Sequence, residues 1–296
     1  MRVAGLGQCS LDYIAVTEGY PGEDTKFEAA EMLVEGGGPV ATALVALSRL
    51  KVKTDFAGVI ADDPAGVEIR RGLKAEGVGI ASLVKRRGGG SQTANIIVNK
   101  SNATRTVIWR RATVKGLTSS EVRPSFIKGK GFLLLDGLMA PASIRAAGIA
   151  RRLGVKVMLD GGSLRPGMLK LAAMADYVVC SESFAREYAR TPAQALKALA
   201  SIGVGTATVT LGKGGSLTLS DGVGFKVPSF RVRAVDTTGA GDVFHGGYVY
   251  GLLKGWGIKK TVTFASAFAA LKCLTPGGRS GIPTLARTLR FMRSKN

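Results

Sequence analysis

Apolar residues recur along this chain in short runs and in helical spacing, and the two alternate. Val3–Leu6 reads as a buried strand, Leu11–Val16 as a second and Lys26–Val34 as a third. Three glycines and Pro39 then open an apolar helix over Val40–Leu50, with proline at the first helical position. Thr54–Ile60 is a strand, Asp62-Asp63-Pro64 caps a helix that runs to Glu76 and stops at Gly77, and Ile80–Val84 is a short strand. Thr93–Val98 and Thr104–Trp109 flank Asn99–Ala103 as a hairpin. From Gly131 the rhythm becomes regular: strand Phe132–Leu135, helix Pro141–Leu153, strand Val155–Leu159, helix Pro166–Met174, strand Tyr177–Cys180, and later strand Ala207–Leu211. Phe230, Val232 and Val235 form a further β-rich run. Val243, Phe244, Tyr248, Val249, Leu252 and Leu253 follow with helical spacing as far as Gly255, and Thr263–Leu274 is an alanine-rich helix. Apolar strands alternating with helices predict a mostly parallel sheet covered on both faces, in one α/β domain over 1–296. The early strands and the hairpin are left over to build a small β-sheet outside the main body.

Composition narrows this picture. At 296 residues the chain can bury a large core. Three dispersed cysteines form neither a disulfide framework nor a zinc pattern, which fits a reducing compartment. The first residues lead straight into strand-like sequence and no apolar run reaches membrane length, so the expected location is the cytoplasm, with no membrane partner. A net charge of +20 raises the question of nucleic acid, but the basic residues are spread in twos and threes and aromatics make up only 6%. A solvated positive surface that steers anionic small molecules accounts for it better.

Candidate chemistry concentrates at Asp236-Thr237-Thr238-Gly239-Ala240-Gly241-Asp242. The glycines stand at the mouth of a helix, where free amides and the positive end of the helix dipole suit a phosphoryl group. Asp242 is then out of place unless it takes a proton from an attacking hydroxyl. The plainer reading, a glycine-softened turn capped by aspartate, uses the same residues. Gly5-Leu6-Gly7-Gln8-Cys9-Ser10 is not a dinucleotide fingerprint, because Ser10 replaces the third glycine and a strand follows. Lys213 is followed by Gly214, which rules out a Walker loop, and a lone His245 with no Gly-x-Ser-x-Gly elbow disfavours a serine hydrolase. His245 reads as a packing or hydrogen-bonding residue.

The seven residues from Asp236 to Asp242 resemble the carboxy-terminal signature of the ribokinase-like (PfkB) sugar kinases, and motifs from Gly5 to Pro283 follow that family's order. The resemblance implies a three-layer sandwich with a small β-sheet lid from about 12–34 and 91–111. It implies ATP-dependent phosphorylation of a small sugar, with Asp242 as base and Gly239, Ala240 and Gly241 as anion hole. Asp12, Lys26, Gly37, Gly38 and Thr42 become the sugar contacts. Gly36–Ala43 resembles the form found in a subset that includes sulfofructose kinases, with Thr42 where the family has asparagine. Ser181, Thr210, Gly212, Gly215, Thr238, Gly241 and Gly278 become the nucleotide contacts. Ser181-Glu182-Ser183-Phe184 departs from the family's Asn-x-x-Glu motif, so Mg²⁺ is expected mainly because ATP brings it. In some members a K⁺ ion is held near positions that correspond to Asp236, Thr238 and Ser280. A homodimer through the lid is implied as well. Two other readings stay open: a nucleoside kinase on the same scaffold, and a basic nucleic-acid-binding protein that has lost turnover.

Overall fold

A computed structural model describes residues 2–294. Its centre is a nine-stranded sheet in the order β13-β12-β11-β10-β9-β8-β1-β4-β5. The strands are β1 (Arg2–Leu6), β4 (Lys53–Ala61), β5 (Val78–Arg86), β8 (Phe132–Leu135), β9 (Lys156–Gly161), β10 (Tyr177–Ser181), β11 (Thr206–Thr210), β12 (Ser216–Ser220) and β13 (Val223–Val227). Seven run parallel, and β12 and β13 add an antiparallel edge. The near-continuous apolar runs of the central strands follow from burial on both faces. Val3, Phe132, Leu134, Met158 and Val179 point into one core; Ala4, Leu133, Leu135, Val157 and Val178 point into the other.

The first core is covered by α1 (Pro39–Arg49), α8 (Ala240–Leu253) and α9 (Ile258–Lys272), and the second by α4 (Ala140–Arg152), α5 (Met168–Ala172) and their neighbours. Helix α8 is buried from Val243 to Gly251. It can be central because Gly246 faces the α1 backbone and Gly247 and Gly251 face α9, where a Cβ would collide. The helix that carries the signature loop is therefore fixed on two sides.

A second sheet of four strands has the order β3-β2-β6-β7, from β2 (Ser10–Thr17), β3 (Glu31–Gly37), β6 (Thr93–Asn99) and β7 (Thr104–Arg110). Register places Glu35, Asp12, Ala94 and Trp109 in one row across it, and Val34, Tyr13, Asn95 and Ile108 in the next row on the opposite face. The inner face packs Ile14, Val16, Ala94, Ile96 and Val98 together.

Two elements differ from the sequence reading. The third strand begins at Glu31, not Lys26, because pairing Val16 with Glu31 uses up β2, and the exposed Gly22–Lys26 stretch has no partner strand. Phe230–Val235 is not a strand: Phe230 packs against Phe291 of α10 (Leu285–Arg293), with ring centroids 5.3 Å apart. Helices α6 (Glu182–Tyr188) and α7 (Pro192–Ser201), strands β12 and β13, and α10 carried no resolved pattern in the sequence.

Candidate active site

The signature loop is tied down by its own first residue. The buried Asp236 carboxylate accepts from Thr238 N at 2.8 Å and Thr238 Oγ1 at 2.7 Å, and from Gly277 N at 2.8 Å. These bonds join the loop to the segment after α9. Gly239 caps α8 in the left-handed region (φ 72°), where a side chain would also strike the Gly278 backbone. Ala240 N donates back to Thr237 O at 3.2 Å, so its amide is engaged. Gly241 and Asp242 follow as first-turn amides with no backbone acceptor among the described residues. Nothing lies within 4 Å of where a Gly241 Cβ would point. Of the three residues expected to form an anion hole, Ala240 has its amide engaged, while the Gly239 and Gly241 amides, like that of Asp242, have no backbone acceptor among the described residues.

Asp242 is half-buried in the first turn of α8. Burial raises its pKa to about 7; the nearby Asp160 adds to the rise, while His245, Arg105 and Arg279 oppose it. Asp160, buried at the end of β9, is pushed up to about 8 by burial and by Asp136. His245 lies one turn beyond Asp242. Its Nδ1 is 2.7 Å from Gly241 O and 3.4 Å from Asp160 Oδ2, and its Nε2 is 3.2 Å from Val179 O. Both ring nitrogens thus face carbonyl oxygens, which a neutral imidazole can satisfy only one at a time. Burial pushes the pKa of His245 down. The residue ties the first turn of α8 to β9 and β10. Asp136 acts as a strut, since its oxygens accept from Gln8 N at 2.7 Å and Leu138 N at 3.0 Å and so join the ends of β1 and β8.

Two cavities lie on this side of the molecule, and the second is lined by residues of this turn, Ala240 and Gly241. The first, about 510 Å³, lies between the carboxyl ends of the main strands and the inner face of the second sheet. Asp12, Gly38, Gln8, Gln92, Trp109, Arg111 and Arg165 are among its lining residues. Asp12 accepts from Ser10 Oγ at 2.7 Å, and burial raises its pKa. Of the expected sugar contacts, Asp12 and Gly38 line this space; Lys26, Gly37 and Thr42 do not. Lys26 is exposed in the loop before β3. Gly37 makes room for the Asp12 carboxylate, and a Cβ there would overlap it. Thr42 is covered by Arg279, whose Nε donates to Thr42 Oγ1 at 3.2 Å and whose Nη2 donates to Gly37 O at 3.0 Å. Arg279 is itself buried, with Gly36 opened for its guanidinium. Nothing in the sequence signalled that Arg279 covers Thr42, because the two are 237 positions apart.

The second cavity, about 690 Å³, is mostly apolar and is lined by Thr210, Gly212, Gly215 and Gly241 from the expected nucleotide contacts. Ser266, Ala269 and Ala270 of α9 form another wall, and Lys213, Phe230 and Phe244 are additional members. Ser181, Thr238 and Gly278 fall outside it. The Ser181 hydroxyl caps α6 through Phe184 N and bonds Gly162 O, the Thr238 hydroxyl is held by Asp236, and Gly278 lies against Gly239. Glu182 is paired with Arg186 at 2.6 Å. Among the described residues no cluster of three or more His, Cys, Asp or Glu is placed to hold a metal ion. No described helix is long and apolar enough to cross a membrane.

Comparison with known proteins gives the same picture. The ribokinase of Haemophilus influenzae is 28% identical over 297 residues, covering 97% of each chain. A deoxyribokinase of Salmonella typhi is 25% identical over 303 residues and 99% of each chain. A nucleoside kinase of Methanothermobacter thermautotrophicus is 25% identical over 291 residues, 96% of this chain and 93% of that one. Among solved structures, a candidate ribokinase from Agrobacterium tumefaciens superposes with a TM-score of 0.91 at 26% identity, over 99% of this chain and 98% of that one. Arabidopsis thaliana ribokinase complexed with ribose and ATP superposes with a TM-score of 0.82 at 22% identity, over 98% of each chain. The family model for pfkB carbohydrate kinases matches residues 2–285. Signature loop, fold and relatives agree: the chain belongs to the pfkB family of carbohydrate kinases and is an ATP-dependent kinase.

Proposed function

We propose that the protein transfers the γ-phosphoryl group of ATP to a hydroxyl of a small sugar or sugar derivative held in the first cavity, with Asp242 as general base. The observation that carries this reading is the position of Asp242. It occupies the first helical turn beside Gly241, which lines the second cavity, and its charge environment includes Arg279, whose charge also acts on Asp12 in the lining of the first. A carboxyl with a pKa of about 7 can accept a proton from an alcohol near neutral pH and release it afterwards. The amides of Gly241 and Asp242, with the α8 dipole, face the charge that builds on the phosphoryl oxygens. Mg²⁺ bound to the ATP phosphates supplies further charge neutralisation when present. Ala94, Ile96, Val107 and Trp109 of the second sheet line one side of the first cavity, which limits the access of water to the sugar.

Arg111 and Arg165 both line the first cavity, and neither makes an ion pair among the described residues: Arg165 Nε bonds Ser163 Oγ at 2.9 Å and Arg111 lies over the Trp109 ring at 5.1 Å. Two unpaired guanidinium groups favour an acceptor that carries an anionic substituent as well as its hydroxyls. Trp109 offers a stacking face, which supports a nucleoside as the second reading. ADP release measured across pentoses, hexoses, phosphosugars, a sulfonated sugar and nucleosides separates these acceptors. If none of them draws ADP release, the proposal fails. The outer face of the second sheet exposes Val34, Tyr13 and Ile108 in one row, which a second copy of the chain would cover; light scattering in solution tests this.

A further inference from the structure

The family resemblance suggested a monovalent cation near Asp236, Thr238 and Ser280, and the residues present do not fit one. Both Asp236 carboxylate oxygens are taken, by Thr238 and by Gly277 N. The Thr238 hydroxyl is engaged with that same carboxylate. Ser280 donates through both N and Oγ to Glu35, which reaches in from β3. The Asp236 carbonyl oxygen receives Lys272 Nζ at 3.1 Å. Lys272 is the last residue of α9 and has no exposed surface. Its ammonium lies 4.0 Å from the equally buried Asp236 Oδ2.

A lysine is almost never fully buried unless its charge is answered. Here the answering groups are Asp236, Glu35 and the carbonyl end of the α9 dipole, with Arg105 opposing. Desolvation pushes the pKa of Lys272 down while Asp236 holds it up. An added metal cation would meet a like charge, and every Asp236 oxygen is already engaged.

We propose that the Lys272 ammonium is a built-in replacement for a monovalent cation, tying the Asp236–Gly239 loop to the end of α9, so that this kinase works without potassium. A tethered charge costs no ion-binding entropy and cannot be lost by dilution. It also fixes the loop that presents the Gly241 and Asp242 amides.

The inference can be read without turnover, which separates it from the assignment of the acceptor. Crystals of the full chain soaked in rubidium, a heavy stand-in for potassium, should show no anomalous density at the Asp236 carbonyl. Crystals of Lys272→Ala should show a peak there. In the kinase assay, replacing potassium by choline at constant ionic strength should change wild-type kcat/KM by less than about 2-fold. Lys272→Ala should lose about 10- to 100-fold and regain activity with potassium but not choline. Lys272→Met, which fills the volume without the charge, should lose activity and not regain it, with thermal melting showing that the variants are folded. A rubidium peak in the wild type, or strong activation of the wild type by potassium, overturns the inference. Should Lys272→Ala fail to fold, those two wild-type measurements still decide.

Discussion

Two glycine clusters precede helices in this chain, Gly36–Gly38 before α1 and Gly239–Gly241 before α8, and they do opposite things. In the first, the missing side chains make room for the protein itself: Gly36 for the Arg279 guanidinium, Gly37 for Asp12 and Ser10, Gly38 for the Gln8 carbonyl. In the second, Gly239 is pinned against Gly278 but Gly241 faces open space. A glycine-rich helix start therefore marks close approach without saying what approaches. The first cluster accommodates a buried polar assembly, and on the function proposed above the open side of the second accommodates a ligand.

The comparison can be broken most sharply at its chemical end. Asp242→Asn should keep the fold and lower kcat by about 10³- to 10⁴-fold, read by ADP release and by an unchanged melting curve. Wild-type-like turnover in that variant would remove the mechanism. Gly241→Ala should next lower turnover by about 10- to 100-fold by intruding on the anion pocket. Its melting temperature should hold or rise, since alanine in a first helical turn gains about 0.5–1 kcal/mol over glycine.

Gly37→Ala predicts the reverse pattern. Its Cβ would overlap the Asp12 carboxylate, so stability should fall by about 1–3 kcal/mol and acceptor KM should rise, while affinity for ATP stays near wild type. If Gly37→Ala and Gly241→Ala behave alike, the distinction between the clusters is lost.

The smallest effect concerns pH. Because Asp242 must be ionised to act as base and its pKa is raised to about 7, kcat/KM should fall as pH drops through that value. Asp160→Asn removes a neighbouring negative charge and should move this limb to lower pH. The stability consequence has the opposite direction. Asp136, Asp160 and Asp242 hold protons more tightly folded than unfolded, with values near 6, 8 and 7. Their contribution is thus greatest below the ordinary carboxylate range and is lost as pH rises toward 8. Melting temperature against pH should show a shallower decline in Asp160→Asn than in wild type.

Part of the proposed site was legible in the sequence. Asp242 and its glycines are read from a helix start, and Asp12, Thr210, Gly212 and Gly215 from the family resemblance. The fold places Asp12 in the lining of the first cavity and Thr210, Gly212, Gly215 and Gly241 in that of the second. Lys26 was misplaced. Its apolar neighbours read as a strand, but a strand exists only where a partner pairs with it, and the register with β2 ends at Glu31.

By itself, then, the sequence determined the alternation of strands and helices, the two layers that cover the main sheet, and which helix mouth carries a carboxylate. Hydrophobic period and turn chemistry are local, and the parallel sheet follows from them with little freedom. Tertiary structure alone decided that Arg279 covers Thr42, that Glu35 takes Ser280, and that Lys272 rather than a dissolved ion faces the Asp236 carbonyl. Each of those pairs joins residues tens to hundreds of positions apart. A buried charge must find its partner wherever the fold brings one, and no spacing rule along the chain records where that will be.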